Sequence, residues 1–254
     1  MRVSLRSRTL GIITVASLTL AGALAGCSSD DTPPPGPTAS TGAEDTAGED
    51  NTSTASADPN AGLKNGTQLK AALLTKKDLP AGFKVSKDLV RDSADTFGPK
   101  SKAVKPSKAA CKQLDTNVWI GGSGIGSVAF AQTGYTNSSG LEIDAEIDSY
   151  RGTDADKVMA NLEKLFTVCS SYKTTTPGVG KSTVKVAQKA GPKAGDNSVK
   201  AVLTSPVWQD GSTLVAIQVG KSIVSVLYSS SKAAGSAKAA KLAETMAKRL
   251  TESA

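Results

Sequence analysis

Histidine is missing from all 254 residues. That excludes Ser-His-Asp and Cys-His catalysis, imidazole metal ligands and the ordinary near-neutral pH switch. Aromatic residues are scarce, at 4 %, and no dense Arg-rich patch is interleaved with them, so no nucleic acid is expected as a partner. Only three cysteines are present. The apolar run from Leu10 to Leu24 falls short of the roughly 20 residues a spanning helix wants and is softened by Gly, Ala, Ser and Thr. Two further absences divide the chain by charge. Residues 1–26 carry Arg2, Arg6 and Arg8 and no acid; residues 27–62 carry Asp30, Asp31, Glu44, Asp45, Glu49, Asp50 and Asp58 and no Lys or Arg.

The first segment has the parts of a secretory signal: a basic start, a short apolar core and a small-residue exit. It ends in Leu24-Ala25-Gly26-Cys27, which resembles the lipobox of bacterial lipoproteins. That resemblance implies cleavage before Cys27, a diacylglyceryl thioether on its sulfur and an amino group open to fatty acylation (palmitate, for example). The mature chain is then expected on the extracytoplasmic face of the cell membrane, held by lipid. The competing reading is an uncleaved spanning anchor. Residues 27–62, built of Ser, Thr, Pro, Gly, Ala and acids, cannot bury enough apolar surface to offset ordering and read as a disordered tether. Their Ser/Thr/Pro content is compatible with O-glycosylation.

Residues 63–254 remain as one domain with 27 Lys+Arg against 16 Asp+Glu, a net charge of +11. The lysines look scattered along turns and strand faces, as a solvated surface would be, although such a balance also favours anionic neighbours. Cys111 and Cys169 are an even pair in a chain read as secreted, hence a disulfide; two free thiols are the alternative.

Periodicity places helices over 67–76, from Ser107 through Cys111 and Leu114, over Asp154–Cys169, and over 237–250 with Ala240, Ala243, Met246, Ala247 and Leu250 inward. An extended run through Val90 and strands at 126–136, 141–150, 182–189, 198–205, 213–219 and 222–228 complete the list, the second and third joined by Asn137-Ser138-Ser139-Gly140. Strands broken by helices with hairpin-length links predict an α+β fold, a mostly antiparallel sheet packed against helices.

Leu73-Leu74-Thr75, Asp78-Leu79-Pro80-Ala81-Gly82-Phe83, Cys111 on an early helix and Phe166-Thr167-Val168-Cys169 closing a later one resemble the extracellular sensor-like domain of receptor Ser/Thr kinases of high-GC Gram-positive bacteria. Free-standing lipoproteins share that domain. The resemblance implies a sensing or binding module with a cleft between sheet and helices. The kinase versions usually carry more than one disulfide, whereas this chain has one cysteine pair, and it has no kinase segment.

Four patterns invite a chemical reading. Gly178-Val179-Gly180-Lys181-Ser182-Thr183 looks like the end of a P-loop but has Thr175 where the first Gly belongs and leads into a strand. The Gly121–Gly126 loop offers backbone N–H groups to an anion, or is a flexible turn. Leu141-Glu142-Ile143-Asp144-Ala145-Glu146-Ile147-Asp148 alternates strictly. It puts four carboxylates on one strand face, as weak Ca²⁺ ligands, as an acid/base pair, or as a row paired with Lys181, Lys185 and Lys189. Pairing or plain solvation is the expectation for that face, and no resident metal. Most of the large aromatics are expected in the core; Trp119, next to the Gly-rich loop, and Trp208, beside Pro206, are the candidates to stack on a ligand at a cleft mouth.

Together these features predict a non-catalytic surface lipoprotein with a binding or sensor-like domain and no cofactor. Its expected partners are the membrane, through Cys27, and a small apolar or lipid-like molecule, an anionic wall component or an envelope protein. The alternatives are a cell-wall hydrolase working with carboxylates and a purely structural envelope protein.

Overall fold

In the computed structural model, residues 58–176 and 180–253 are described. The leader, the box at Cys27 and the acidic segment up to residue 57 lie outside them. Residues 58–62, expected in the tether, are attached to the folded body: Asn60 Oδ1 accepts from Arg151 Nε and Nη2 at 2.9 and 2.7 Å, and Ala61 O accepts from Lys221 Nζ at 2.9 Å. Among the described residues no helix is long and apolar enough to cross a membrane.

Eight antiparallel strands form one sheet: β1 (Lys84–Asp92), β2 (Ala129–Thr136), β3 (Glu142–Ser149), β4 (Ser171–Thr176), β5 (Gly180–Ala190), β6 (Asn197–Thr204), β7 (Ser212–Val219) and β8 (Ser222–Tyr228). Their spatial order is β1-β2-β3-β8-β7-β6-β5-β4. The expected α+β fold is therefore present. The β2–β3 hairpin turns where expected, with Asn137 Oδ1 accepting from Ser139 N and Leu141 N at 3.0 Å and Gly140 at φ 75°, a left-handed value that favours glycine.

Three helices pack on this sheet: α1 (Gly66–Lys70), α2 (Asp154–Val168) and α3 (Ala233–Glu252). On one face Ile143, Ala145, Ile147, Val215, Ile217, Val224 and Val226 meet α3 and the α1 region, including Leu69, Leu73 and Phe83. On the other, Val184, Val199, Ala201, Leu203, Leu214, Ala216, Ile223 and Leu227 meet α2 and the segment carrying Cys111, Leu114 and Trp119. Alternation along the strands feeds both cores, which is what a sheet covered on two sides requires. Cys111 and Cys169 are joined, S–S 2.01 Å, tying the short 3-10 helix Lys108–Gln113 to the C-terminal end of α2.

Several expectations shift. The first helix stops at Lys70; Asn65 and Gln68 form a reciprocal capping box, but the chain leaves helical geometry one turn later to bring Leu73 and Leu74 under the sheet. The second is a 3-10 helix in which Ser107 makes no side-chain cap. Along α3 the buried stripe runs through Ala239 and Leu242, with Ala240 only half-buried. Strand β4, Thr-rich and without apolar alternation, was not expected. It exists because backbone pairing with β5 from Ser171↔Lys185 to Thr176↔Gly180 supplies what its side chains do not.

Candidate functional site

The row on β3 is the most unusual chemistry in the fold. Its alternation is as the sequence predicts, but the acidic side does not face water. Asp144, Glu146 and Asp148 are 3, 8 and 2 % exposed. The expected pairing with Lys181, Lys185 and Lys189 does not form, because three strands (β8, β7 and β6) separate β3 from β5. The residues directly opposite the three acids are Gly134, Gln132 and Phe130 on β2 and Leu227, Ser225 and Ile223 on β8, none of them basic.

Enclosure comes from the β1 edge and from the segment between β1 and β2. Strand β1 pairs Ser86 with Gly134 and Arg91 with Gln132, five steps on one strand against two on the other. The bulged residues leave the sheet plane, which re-aims side chains at a sheet edge. Leu89 folds over Gly134, where a Cβ would stand 2.4 Å from Leu89 Cδ1 and 3.0 Å from Asp144 Oδ1. Gln132 accepts from Arg91 Nη2 at 2.6 Å and donates to Asn117 O at 3.2 Å, linking the edge strand to the covering loop. We predict that Gly134→Ala costs about 1–3 kcal/mol by overpacking, read as a lower denaturation midpoint with faster proteolysis at 87–90. An unchanged midpoint would mean that Leu89 does not hold this position.

Electrostatics follow from burial. Burial pushes the Asp148 carboxyl up to about 7, against a lowering contribution from the Ser127 hydroxyl that donates to it. Glu146 is held well above the usual carboxylate range by burial first and by Asp148 next; Arg91 opposes that and Asp144 reinforces it. Tyr150, continuing the row, is raised by burial and by the same two acids. Glu146 Oε2 and Asp148 Oδ2 have no hydrogen-bond partner among the described residues. Like charges on neighbouring buried positions cannot all ionise, so protons are retained near neutrality.

Among the described residues, no group of three or more His, Cys, Asp or Glu is placed to hold a metal ion. Carboxylates two residues apart on one strand sit about 6.5–7 Å from each other.

The remaining candidates lie elsewhere. Trp119 is 1 % exposed and stacks on Phe166, ring centroids 6.2 Å apart at 27°; Trp208 is half-buried against the same apolar cluster. The pair that the sequence places at a cleft mouth therefore packs on α2's core. The glycine loop is a 3-10 turn, Trp119–Ser123, whose N–H groups are spent internally: Gly121 N on Val118 O, Gly124 N on Gly121 O and Gly126 N on Ser101 Oγ. A Cβ on Gly122 would stand 2.7 Å from Leu165 Cδ2, so this glycine serves close packing on α2. Of the P-loop-like stretch, Gly178 and Val179 lie outside the described residues, and Gly180–Thr183 belong to β5 and open no helix. Sequence reasoning missed Leu89, Arg91 and Gln132, whose role depends on a bulge that no local pattern announces.

No protein-family model matches the chain, and no curated protein matches it. Among solved structures it is similar to the extracellular domain of PknH from Mycobacterium tuberculosis. The TM-score is 0.53 at 12 % identity, over 75 % of this chain and 98 % of that one. The likeness is one of fold. It covers nearly the whole of that domain, so the eight-stranded body described here corresponds to a complete extracellular domain of another protein.

Proposed function

We propose that this chain is a lipid-anchored, extracytoplasmic protein whose domain binds or senses a ligand and catalyses nothing. The fold it shares with an extracellular domain carries the proposal. The Cys111–Cys169 bond supports it, since such bonds persist in oxidising compartments. So does the lack of histidine. On this reading Cys27 takes the lipid and residues 28–57 form the tether. The ligand class is the one expected from sequence: a small apolar or lipid-like molecule, a wall component or a partner protein. A hydrolase would need its paired carboxylates open to substrate, and the ones with raised pKa are sealed between sheet, bulge and loop.

The anchor is tested by Cys27→Ala. Lipidation at Cys27 precedes cleavage in the lipobox reading, so the variant should carry no lipid and keep its leader, running at the precursor mass. Retention at the normal mature mass would exclude the lipoprotein reading. The binding role is tested by isolating the protein from its own envelope and identifying copurifying molecules by mass spectrometry.

A further inference from the structure

The two faces of the sheet are covered unequally. Helix α3 packs on β7 and β8, and its layer does not extend over β4, β5 and β6. There Lys173, Thr175, Lys181, Thr183, Lys185, Ala187, Lys189 and Thr204 are exposed. Register puts the basic residues together. Lys173 lies opposite Thr183, hence diagonal to Lys181 and Lys185, and Lys189 lies directly opposite Lys200. Diagonal neighbours of this kind are about 7–8 Å apart and direct ones about 4.5–5.5 Å. Lysines that look scattered in sequence thus form one strip along β5, roughly 27 Å from Lys181 to Lys189 at about 3.4 Å per residue.

Among the described residues, no ion pair offsets the charge of these five lysines, and strands β4, β5 and β6 contain no Asp or Glu. Like charges directly opposite each other in a sheet are destabilising, so the arrangement works against the fold unless an anion meets it from outside.

We propose that this face binds a linear phosphodiester polyanion laid along β5. Every cation of the strip is Lys. Arg would be the choice for planar, bidentate recognition of carboxylates, whereas Lys meets phosphate as a point charge in any orientation. The strip is long and one-sided, as a chain ligand requires. Between the lysines stand Thr, Ala and Ser with no aromatic or large aliphatic side chain except the half-buried Val202, so the face lacks the apolar wedge with which proteins enter a bilayer. The proposal goes beyond the anchored-sensor reading and stands or falls without it.

The test is titration of the purified chain with poly(glycerol phosphate) across a salt series. Neutralising five charges at the coefficient for a flexible strand gives a log K against log salt slope of about −3.5, or roughly a hundredfold loss between about 50 and 200 mM salt. The triple change Lys181→Gln, Lys185→Gln, Lys189→Gln should flatten the slope by about 2 and weaken low-salt binding at least about tenfold. Lys76→Gln, Lys77→Gln, Lys102→Gln, the same charge change away from this face, should leave both unchanged. The proposal is overturned by an absence of binding or by equal effects of the two triple variants. Equal affinity for polyglutamate would also overturn it, as would a larger lysine-dependent gain on moving from neutral to phosphatidylglycerol vesicles than on adding the polymer. Cys27→Ala can leave the mature mass unchanged while this titration succeeds, and the reverse, so the two readings are separable.

Discussion

Asp148→Asn should make the domain more stable above neutral pH and flatten its stability profile between about pH 4 and 7. The sign follows from linkage. The Asp148 carboxyl is raised from 3.8 to about 7 by burial, so in that window the folded chain holds a proton that the unfolded chain has released. Stability is then fully present below about pH 4 and lost as pH rises through 7, by about 4 kcal/mol for a shift of this size. Glu146 is raised by the same burial and by Asp148 itself, so it steepens the loss, and removing the Asp148 charge relieves it. The other groups facing the row are Asp144 on its own strand, Tyr150 just after it, and Arg91 from β1, whose charge opposes the shift of Glu146. Asparagine keeps the shape and cannot ionise. Its midpoint in urea at pH 8 should exceed the parent's by an amount corresponding to about 2–4 kcal/mol, and the two should converge near pH 4. Parallel profiles from pH 4 to 8 would show that Asp148 is ionised in the folded protein.

An opposite trend operates at the acid end. Burial raises Asp78, but the Arg249 guanidinium, 2.7–2.9 Å away, and the Thr75 donors outweigh it and hold the carboxyl below its usual range. That contribution is present above the ordinary carboxylate pKa and is lost as pH falls through the depressed one. Maximum stability is thus expected in the weakly acid range, between the loss of this fork and the ionisation of the β3 row.

Breaking the Cys111–Cys169 bond should lower thermal stability about as much. The bridge spans 58 residues, and removing that loop constraint from the unfolded chain costs about 4 kcal/mol on the chain-entropy account. For a domain of this size that is roughly 8–16 °C in Tm. The fully buried sulfurs sit where the 3-10 helix Lys108–Gln113 meets α2, beside Leu114, Leu162 and Phe166. Cys111→Ala with Cys169→Ala should therefore loosen the segment that carries Trp119 and closes over the acid row before it affects the β2–β3 hairpin. Scanning calorimetry with and without reductant checks this. The parent should shift and the double variant should not, and a parent insensitive to reductant under unfolding conditions would remove the bridge from the stability account.

The sequence by itself determined the local and the covalent. Strict alternation from Leu141 to Asp148 could only be a strand, because a one-residue slip would exchange its two faces. The repeat of Val158, Leu162, Leu165 and Phe166 could only be a helix face. Two cysteines left after Cys27 sufficed to expect the bond that the structure shows. What lies outside a strand was not legible from its own residues. Whether the acids of β3 meet water, lysines or a protein wall depends on which strands neighbour it and on what the loop from 93 to 128 covers. Both are long-range matters, since β3 takes β8, some eighty residues later, as its second partner. The same holds for the lysines of β4, β5 and β6. Pairing register brings them onto one face, and α3 leaves that face open because its apolar stripe is matched to β7 and β8. Alternation sorts side chains into two sets, but only tertiary packing decides which set is covered, because coverage is a property of the neighbour and not of the strand.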